Sequence, residues 1–172
     1  NSPGVTAGTA SDTLTATFND ITSVSDLIND NPNQIAALIV EPIIGNAGLI
    51  PPNEHFLKQL RDITTKNGLI LIFDEVITGF RVAAGGAQSL YHVKPDLTTM
   101  GKVIGGGMPI GAIGGNKKIM NQLAPAGPIY QAGTLSGNPL AVSAGLAQLN
   151  SLTDDIYATL ETRSAQLEGG IK

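Results

Sequence analysis

Two short, continuous apolar runs separated by an amphipathic segment constrain the fold of this 172-residue chain more than any other feature. Residues 35–40 and 69–73 consist only of Ile, Leu, Val, Ala and Phe, as strands buried on both faces do. Between them, Phe56, Leu60 and Ile63 recur at helical spacing, and Gly68 is placed to end the helix. Strand, helix and strand in this order predict a βαβ unit, and therefore an α/β fold with a parallel sheet.

Weaker patterns extend this layout towards both ends of the chain. Residues 1–11 are rich in Gly, Ser, Thr and Pro and predict a loop. The remaining expected strands are 14–18, 97–100 and 111–115, and the expected helix starts are Ser23, Asn53, Asn116, Asn138 and Thr153. Because the first residue is Asn1 and no leader follows it, we expect the sequence to be an excerpt of a longer protein.

The composition disfavours several classes of partner. The net charge is −4 with scattered Lys and Arg, and aromatic residues make up 4%, so we expect no nucleic-acid partner. Charged residues and prolines interrupt the apolar runs before they reach bilayer length, so we expect no membrane partner. Cys is absent and the two His are not spaced as metal ligands, so we expect no metal site.

Acidic residues follow both apolar runs. Asp74 comes directly after residues 69–73, and the carboxyl ends of parallel strands are where α/β sheets bind ligands. Taken alone, such an Asp is more often a loop or capping residue, but an ionised one can keep a heteroaromatic nitrogen protonated. Glu41 ends the first run at the same edge and carries a weaker functional interpretation. Arg81 is compatible with binding a carboxylate and equally with a structural ion pair.

Lys102 is flanked by the apolar residues Met100, Val103 and Ile104, and three consecutive glycines, residues 105–107, come next. An amine in apolar surroundings is suited to nucleophilic work near neutral pH, and glycines allow the backbone to approach a planar ligand closely. An ordinary solvated lysine is an equally good interpretation of these features alone. A nucleotide-binding loop is disfavoured, because its Lys would follow the glycines and precede Ser or Thr.

Two hydroxyl residues, Thr134 and Ser136, lie just before the helix start predicted at Asn138–Pro139. Hydroxyls and free backbone N–H groups at a helix N-terminus favour a phosphate or another anion. Ordinary capping by Asn138 accounts for part of the same pattern.

Four longer motifs give the chain a family resemblance: residues 73–81 (FDEVITGFR), 95–102 (PDLTTMGK), 105–112 (GGGMPIGA) and 130–139 (YQAGTLSGNP). Over about residues 35–149 the chain resembles the class III aminotransferases of pyridoxal-phosphate fold type I, and within them the aminomutase branch. The resemblance implies a three-layer large domain with a mostly parallel sheet and helices on both faces, incomplete at both ends. Residues 1–172 would be the central part of this cofactor-binding domain, with the N-terminal segment and the small C-terminal domain absent.

The resemblance also assigns roles to residues. Lys102 matches the lysine that carries the cofactor as a Schiff base and shuttles protons. Asp74 matches the carboxylate on the pyridine nitrogen, and Val76 matches the apolar residue on one face of the ring. Thr134 matches the hydroxyl that contacts the cofactor phosphate of the neighbouring subunit, with Tyr130 in the same loop.

The implied enzyme is a cytoplasmic homodimer, or a plastid one in a plant or alga, that uses pyridoxal 5'-phosphate and its pyridoxamine 5'-phosphate form. It would act on a small amino-aldehyde, converting glutamate-1-semialdehyde to 5-aminolevulinate for porphyrin, haem and chlorophyll biosynthesis. One alternative is a class III ω-aminotransferase with a separate amino acceptor. Another is an inactive α/β piece that serves only in binding or assembly, since the chain by itself lacks part of the implied site.

Overall fold

The structure is a computed structural model that describes residues 3–172. Its centre is a four-stranded sheet in the order β1 (Ala37–Val40), β2 (Ile70–Asp74), β3 (Leu97–Met100) and β4 (Ala112–Gly115). The pairs β1–β2 and β2–β3 are parallel, and β4 joins β3 in the antiparallel sense. The predicted βαβ unit and the mostly parallel α/β sheet are therefore confirmed.

Seven α-helices and one 3₁₀ turn connect or flank the strands within the described residues. They are α1 (Ala7–Ser11), α2 (Ile21–Asp30), α3 (Phe56–Lys66), α4 (Gly86–Leu90), the 3₁₀ turn Lys102–Gly105, α5 (Lys117–Met120), α6 (Pro139–Ser151) and α7 (Asp154–Ile171). As predicted, Asn116, Asn138 and Thr153 cap the helices that follow them, each accepting a bond from a backbone N–H. Within residues 3–172, no helix combines the length and apolarity needed to cross a bilayer.

The core lies where α3 packs on β2 and α2 packs on α3. Leu71 and Phe73 alternate along β2 towards these helices and are fully buried, and Leu60 of α3 is nearly so. Each such side chain contributes roughly 1.5–3 kcal/mol by leaving water. The same alternation turns Asp74, at the end of β2, away from the core.

An ion pair fixes the start of β3 against this core. Arg61 of α3 and Asp96 lie 2.8 Å apart, and the same Asp96 oxygen accepts a bond from the Leu71 backbone N–H at 2.8 Å. This carboxylate therefore connects α3, β2 and the residue before β3, and it helps to set where β3 begins.

Some local expectations were wrong. Residues 14–18 form no strand: the Thr17 backbone N–H donates to Ser23 Oγ instead of to a neighbouring strand. The cap of α2 is Asp20, not Ser23, because the Asp20 carboxylate takes the first free N–H groups of the helix. Similarly, His55, not Asn53, precedes α3, in a left-handed conformation with φ 69°.

The N-terminal stretch also differs from the expected loop. Residues 7–11 of that stretch form the short helix α1, while its first two residues lie outside the described part of the chain.

Candidate active site

Three functional candidates lie at one edge of the sheet because each follows the carboxyl end of a parallel strand. Glu41 follows β1, Asp74 ends β2, and Lys102 comes two residues after β3. The three strands are neighbours in the sheet, and the register aligns Asp74 with Thr99. The sheet therefore brings two carboxylates and one amine to a common edge, where α/β folds bind their ligands.

The Asp74 carboxylate is held on one of its two oxygens. Its Oδ1 accepts a bond from the Val76 backbone N–H at 3.0 Å and from Thr99 Oγ1 at 3.2 Å. No hydrogen bond to Asp74 Oδ2 occurs among the described residues. The carboxylate is thus oriented by its neighbours while one oxygen stays available to a ligand.

Lys102 adopts a left-handed backbone conformation, with φ 47°, at the first residue of the 3₁₀ turn. Residues other than glycine rarely adopt this conformation, and where they do it often marks a functional position. At the preceding Gly101, a Cβ atom would lie 3.3 Å from Val76 Cγ1. Val76 therefore packs against the backbone of the residue before Lys102, and its own backbone N–H donates to Asp74.

Glu41 is fixed by the loop that follows it. Its carboxylate accepts bonds from the Gly45 backbone N–H and from Asn46 Nδ2, both at 3.0 Å. The Gly45 N–H lowers the pKa of Glu41 most; partial burial opposes this, and Asn46 and the positive charge of Lys102 lower the pKa further.

The turn that carries Lys102 is packed backbone to backbone against α6. A Cβ atom at Gly145 would lie 2.3 Å from the Ile104 carbonyl oxygen, and one at Gly106 would lie 2.6 Å from the Ala144 oxygen. Gly106 also has φ +56°, which favours glycine. No side chain could stand at Gly145 without moving the helix away from the lysine turn.

Thr134 and Tyr130 are not part of this group. Both are exposed, Tyr130 by 83%, and among residues 3–172 no hydrogen bond joins either of them to Asp74 or Lys102. The first N–H groups of α6 are taken by the Asn138 side chain, which accepts from Leu140 and Ala141. An anion at this loop would therefore depend on the hydroxyls and the backbone of residues 133–137.

Three residues that the sequence analysis does not single out, Thr99, Asn46 and Glu75, support the site. Thr99 orients Asp74, and Asn46 orients Glu41; neither stands out in a sequence without the sheet register. Glu75, directly after Asp74, is 1% exposed, and its side-chain oxygens accept four hydrogen bonds. The signal that could have found it is a second acidic residue after a buried strand. Within residues 3–172, the Arg81 side chain donates only locally, from Nε to the Ile77 carbonyl.

The chemistry of this group suits a flat heteroaromatic aldehyde such as pyridoxal phosphate. Lys102 provides a primary amine that can bond to an aldehyde, and Asp74 provides an oriented carboxylate with a free oxygen for a ring nitrogen. Val76 provides an apolar side chain that packs beside Gly101, the residue before the lysine. The residues present therefore fit that cofactor.

Comparison with known proteins agrees with this chemistry. The family profile described as aminotransferase class-III matches residues 1–171. The chain is 61% identical, over its whole length, to the glutamate-1-semialdehyde 2,1-aminomutase of Chlorobium phaeobacteroides. It spans 40% of the length of that relative.

Solved structures give the same result for the fold. An omega-transaminase from Sphaerobacter thermophilus is similar with a TM-score of 0.92 and 39% identity, over 98% of this chain and 39% of that one. A glutamate-1-semialdehyde aminomutase from Pseudomonas aeruginosa, solved in complex with PMP, gives a TM-score of 0.77 and 28% identity, over 90% of this chain and 36% of that one. On the strength of its sequence profile, its sheet and the residues at the sheet edge, the chain belongs to the class-III aminotransferase family.

Proposed function

We propose that this segment supplies the lysine-bearing part of an active site that converts glutamate-1-semialdehyde to 5-aminolevulinate. The observation that carries the proposal is the grouping of Lys102, Asp74 and Val76 at one sheet edge, in a chain 61% identical to a protein named for that reaction. Residues 1–172 would form the central part of the cofactor-binding domain, because the named relatives are about two and a half times as long. The reaction is an isomerisation, with no net oxidation.

In this proposal, three residues hold pyridoxal phosphate. Lys102 binds it covalently through Nζ, Asp74 pairs with the ring nitrogen, and Val76 covers one face of the ring. When bound, the cofactor supplies an electron sink for the electron pair that is left when a proton leaves the substrate carbon.

The chain's own residues perform the remaining tasks. Asp74, oriented by Thr99 and by the Val76 N–H, keeps a proton on the ring nitrogen through its free oxygen. Lys102 Nζ would take up a proton from a substrate carbon and return it as the amino group changes position. Glu41, oriented by the Gly45 N–H and by Asn46, adds a second carboxylate to this edge and would serve as a secondary contact for the substrate.

The loop before α6 would complete the site of a second subunit. Ile129, Tyr130 and Leu135 are exposed by 53%, 83% and 70%, an unusual density of apolar surface for a loop in contact with water. A homodimer that buries this loop would bring Thr134 to the cofactor phosphate of the partner and Tyr130 close beside it. Analytical ultracentrifugation of the full-length protein should then give a dimer.

A second candidate function, ω-transamination, is favoured by one observation. The omega-transaminase from Sphaerobacter thermophilus superimposes on nearly the whole chain with a TM-score of 0.92. A transaminase would share the lysine chemistry but would need a separate amino acceptor. The identity to it, 39%, is well below the 61% to the aminomutase, and this difference favours the mutase.

One assay separates the two functions. The full-length enzyme, loaded with pyridoxamine phosphate, is given glutamate-1-semialdehyde without an amino donor or keto acid, and 5-aminolevulinate is measured. A mutase should turn over many times, because the amino group returned to the cofactor in each cycle restores the starting form. If product stops at about one equivalent until an amino donor is added, the enzyme is a transaminase.

The proposal extends to the cellular setting. 5-Aminolevulinate is the precursor of porphyrins, haem and chlorophyll, and the proposed location is the cytoplasm. A strain that lacks the parent gene should require 5-aminolevulinate for growth. Fractionation of cells that express the tagged protein should recover it with cytoplasmic markers.

A further inference from the structure

Glu75 is a fully buried acidic residue that the proposed chemistry does not use. Its side chain is 1% exposed, and its two oxygens accept four hydrogen bonds. Thr78 Oγ1 at 3.0 Å and the Ala87 N–H at 2.5 Å donate to Oε2. The Gln88 N–H at 3.1 Å and Gln88 Nε2 at 3.0 Å donate to Oε1. All four contacts are donors, so both side-chain oxygens of Glu75 are satisfied inside the protein.

The surrounding backbone is shaped to admit this carboxylate. Gly86 has φ +67°, and a Cβ atom there would lie 2.2 Å from Glu75 Oε2. Only glycine satisfies both the backbone conformation and the space. Among residues 3–172, the ion pairs do not include Glu75, so its buried oxygens are satisfied by neutral donors alone.

The same bonds connect the loop after β2 to the strand beside it. The Glu75 backbone N–H donates to the Thr99 carbonyl at 3.0 Å. Gln88 Nε2, which contacts Glu75, also donates to Thr98 Oγ1 at 3.2 Å. The next residue of β3, Thr99, donates to Asp74. The backbone from Asp74 to Val76 is therefore fixed to β3 by its own chain and by the Glu75 side chain.

We infer that Glu75 is a positioning residue for the cofactor site, which it serves without touching the cofactor or the substrate. Its side chain binds residues 78, 87 and 88, and Gln88 in turn binds β3. These bonds hold the Asp74 carboxylate and the Val76 side chain in the relative positions that a flat ring between them requires. This inference rests on the proposed function in one respect, namely that the ring is pyridoxal phosphate.

Two matched threonine variants test the inference in the full-length enzyme. Thr78→Val removes one donor to Glu75, whereas Thr64→Val removes an equally buried hydroxyl that donates to the Leu60 carbonyl inside α3. Three quantities are compared: the thermal midpoint of the apoenzyme, its Kd for pyridoxal phosphate, and the visible absorption band of the bound cofactor. Glu75→Gln is the third variant. It replaces one acceptor oxygen by an NH₂ group, which then faces donors that pointed at that oxygen.

Both threonine variants should lower the midpoint of the apoenzyme to a similar extent. Thr78→Val should raise the Kd about fivefold and shift the absorption band, and Thr64→Val should leave both unchanged. Glu75→Gln should raise the Kd by about tenfold or more; if it does not fold, the threonine pair decides.

An equal Kd for the two threonine variants would overturn the inference and leave the proposed function intact. Failure of the wild-type apoenzyme to bind pyridoxal phosphate would overturn both.

Discussion

Gly145 offers a direct test of how α6 controls the position of Lys102. The substitution Gly145→Ala adds one methyl group, which would lie 2.3 Å from the Ile104 carbonyl oxygen. An ordinary contact is 3.4 Å or more, so the helix and the lysine turn must separate by about 1 Å. The matched control is Gly169→Ala in α7, where nothing lies within 4 Å of the added methyl group.

Both substitutions replace a helical glycine by alanine, Gly145 in the middle of α6 and Gly169 in the last turn of α7, and only Gly145→Ala introduces a clash. Replacing an interior helical glycine by alanine stabilises by about 1 kcal/mol, whereas forcing extra atoms into a packed contact costs about 1–3 kcal/mol. Gly145→Ala should therefore be less stable than Gly169→Ala by roughly 1–3 kcal/mol, which lowers the thermal midpoint by a few degrees. Because a misplacement of about 1 Å can cost 10²-fold in rate, its turnover should fall by up to that factor.

The assay is the donor-free production of 5-aminolevulinate by both full-length variants, together with thermal unfolding followed by circular dichroism. Gly169→Ala should match the wild type in turnover and be slightly more stable. If Gly145→Ala keeps turnover within twofold of Gly169→Ala, α6 does not set the position of the lysine.

Three further predictions concern the site. Borohydride reduction of the cofactor-loaded enzyme and peptide mapping should find the cofactor mass on Lys102, and a label on another lysine would exclude its role. Asp74→Asn should keep the fold but lower turnover by roughly 10²- to 10³-fold, because the charge opposite the ring nitrogen is gone; near-normal turnover would rule this out. The lowered pKa of Glu41 means that its ionised form stabilises the fold above the unfolded pKa, about 4.3, and that this stabilisation disappears as the pH falls through the folded value. The stability difference between wild type and Glu41→Gln should thus be largest near neutral pH and shrink in acid, and a difference independent of pH would contradict it.

The sheet could be predicted from the sequence because its central strands carry an unambiguous signal. Strand β2 is a continuous apolar run, and the structure places it between β1 and β3 with Leu71 and Phe73 buried. The bounds predicted for β3, residues 97–100, match the structure. The meeting of Asp74 and Glu41 at one edge follows from the parallel direction of the strands alone.

Features that depend on distant partners could not be predicted. Helix α4 starts with Gly86, a residue typical of turns, and its first N–H groups are satisfied by Glu75 from outside the helix. The start of α2 was misplaced because Asp20 and Ser23 are both good caps, and local sequence does not decide between them. The left-handed conformation of Lys102 likewise has no signature in the residue itself.

The order of the strands leaves β1 and β4 at the two ends of the sheet. An end strand presents a row of backbone N–H and C=O groups that can pair with any extended chain, including another copy of the same segment. On β1 this row accompanies Ile39, which is 62% exposed, and on β4 it accompanies Ile113, which is 49% exposed. Produced on its own, the segment 1–172 would therefore tend to aggregate by pairing of these end strands. Its solubility would then depend more on the exposure of β1 and β4 than on the stability of its core.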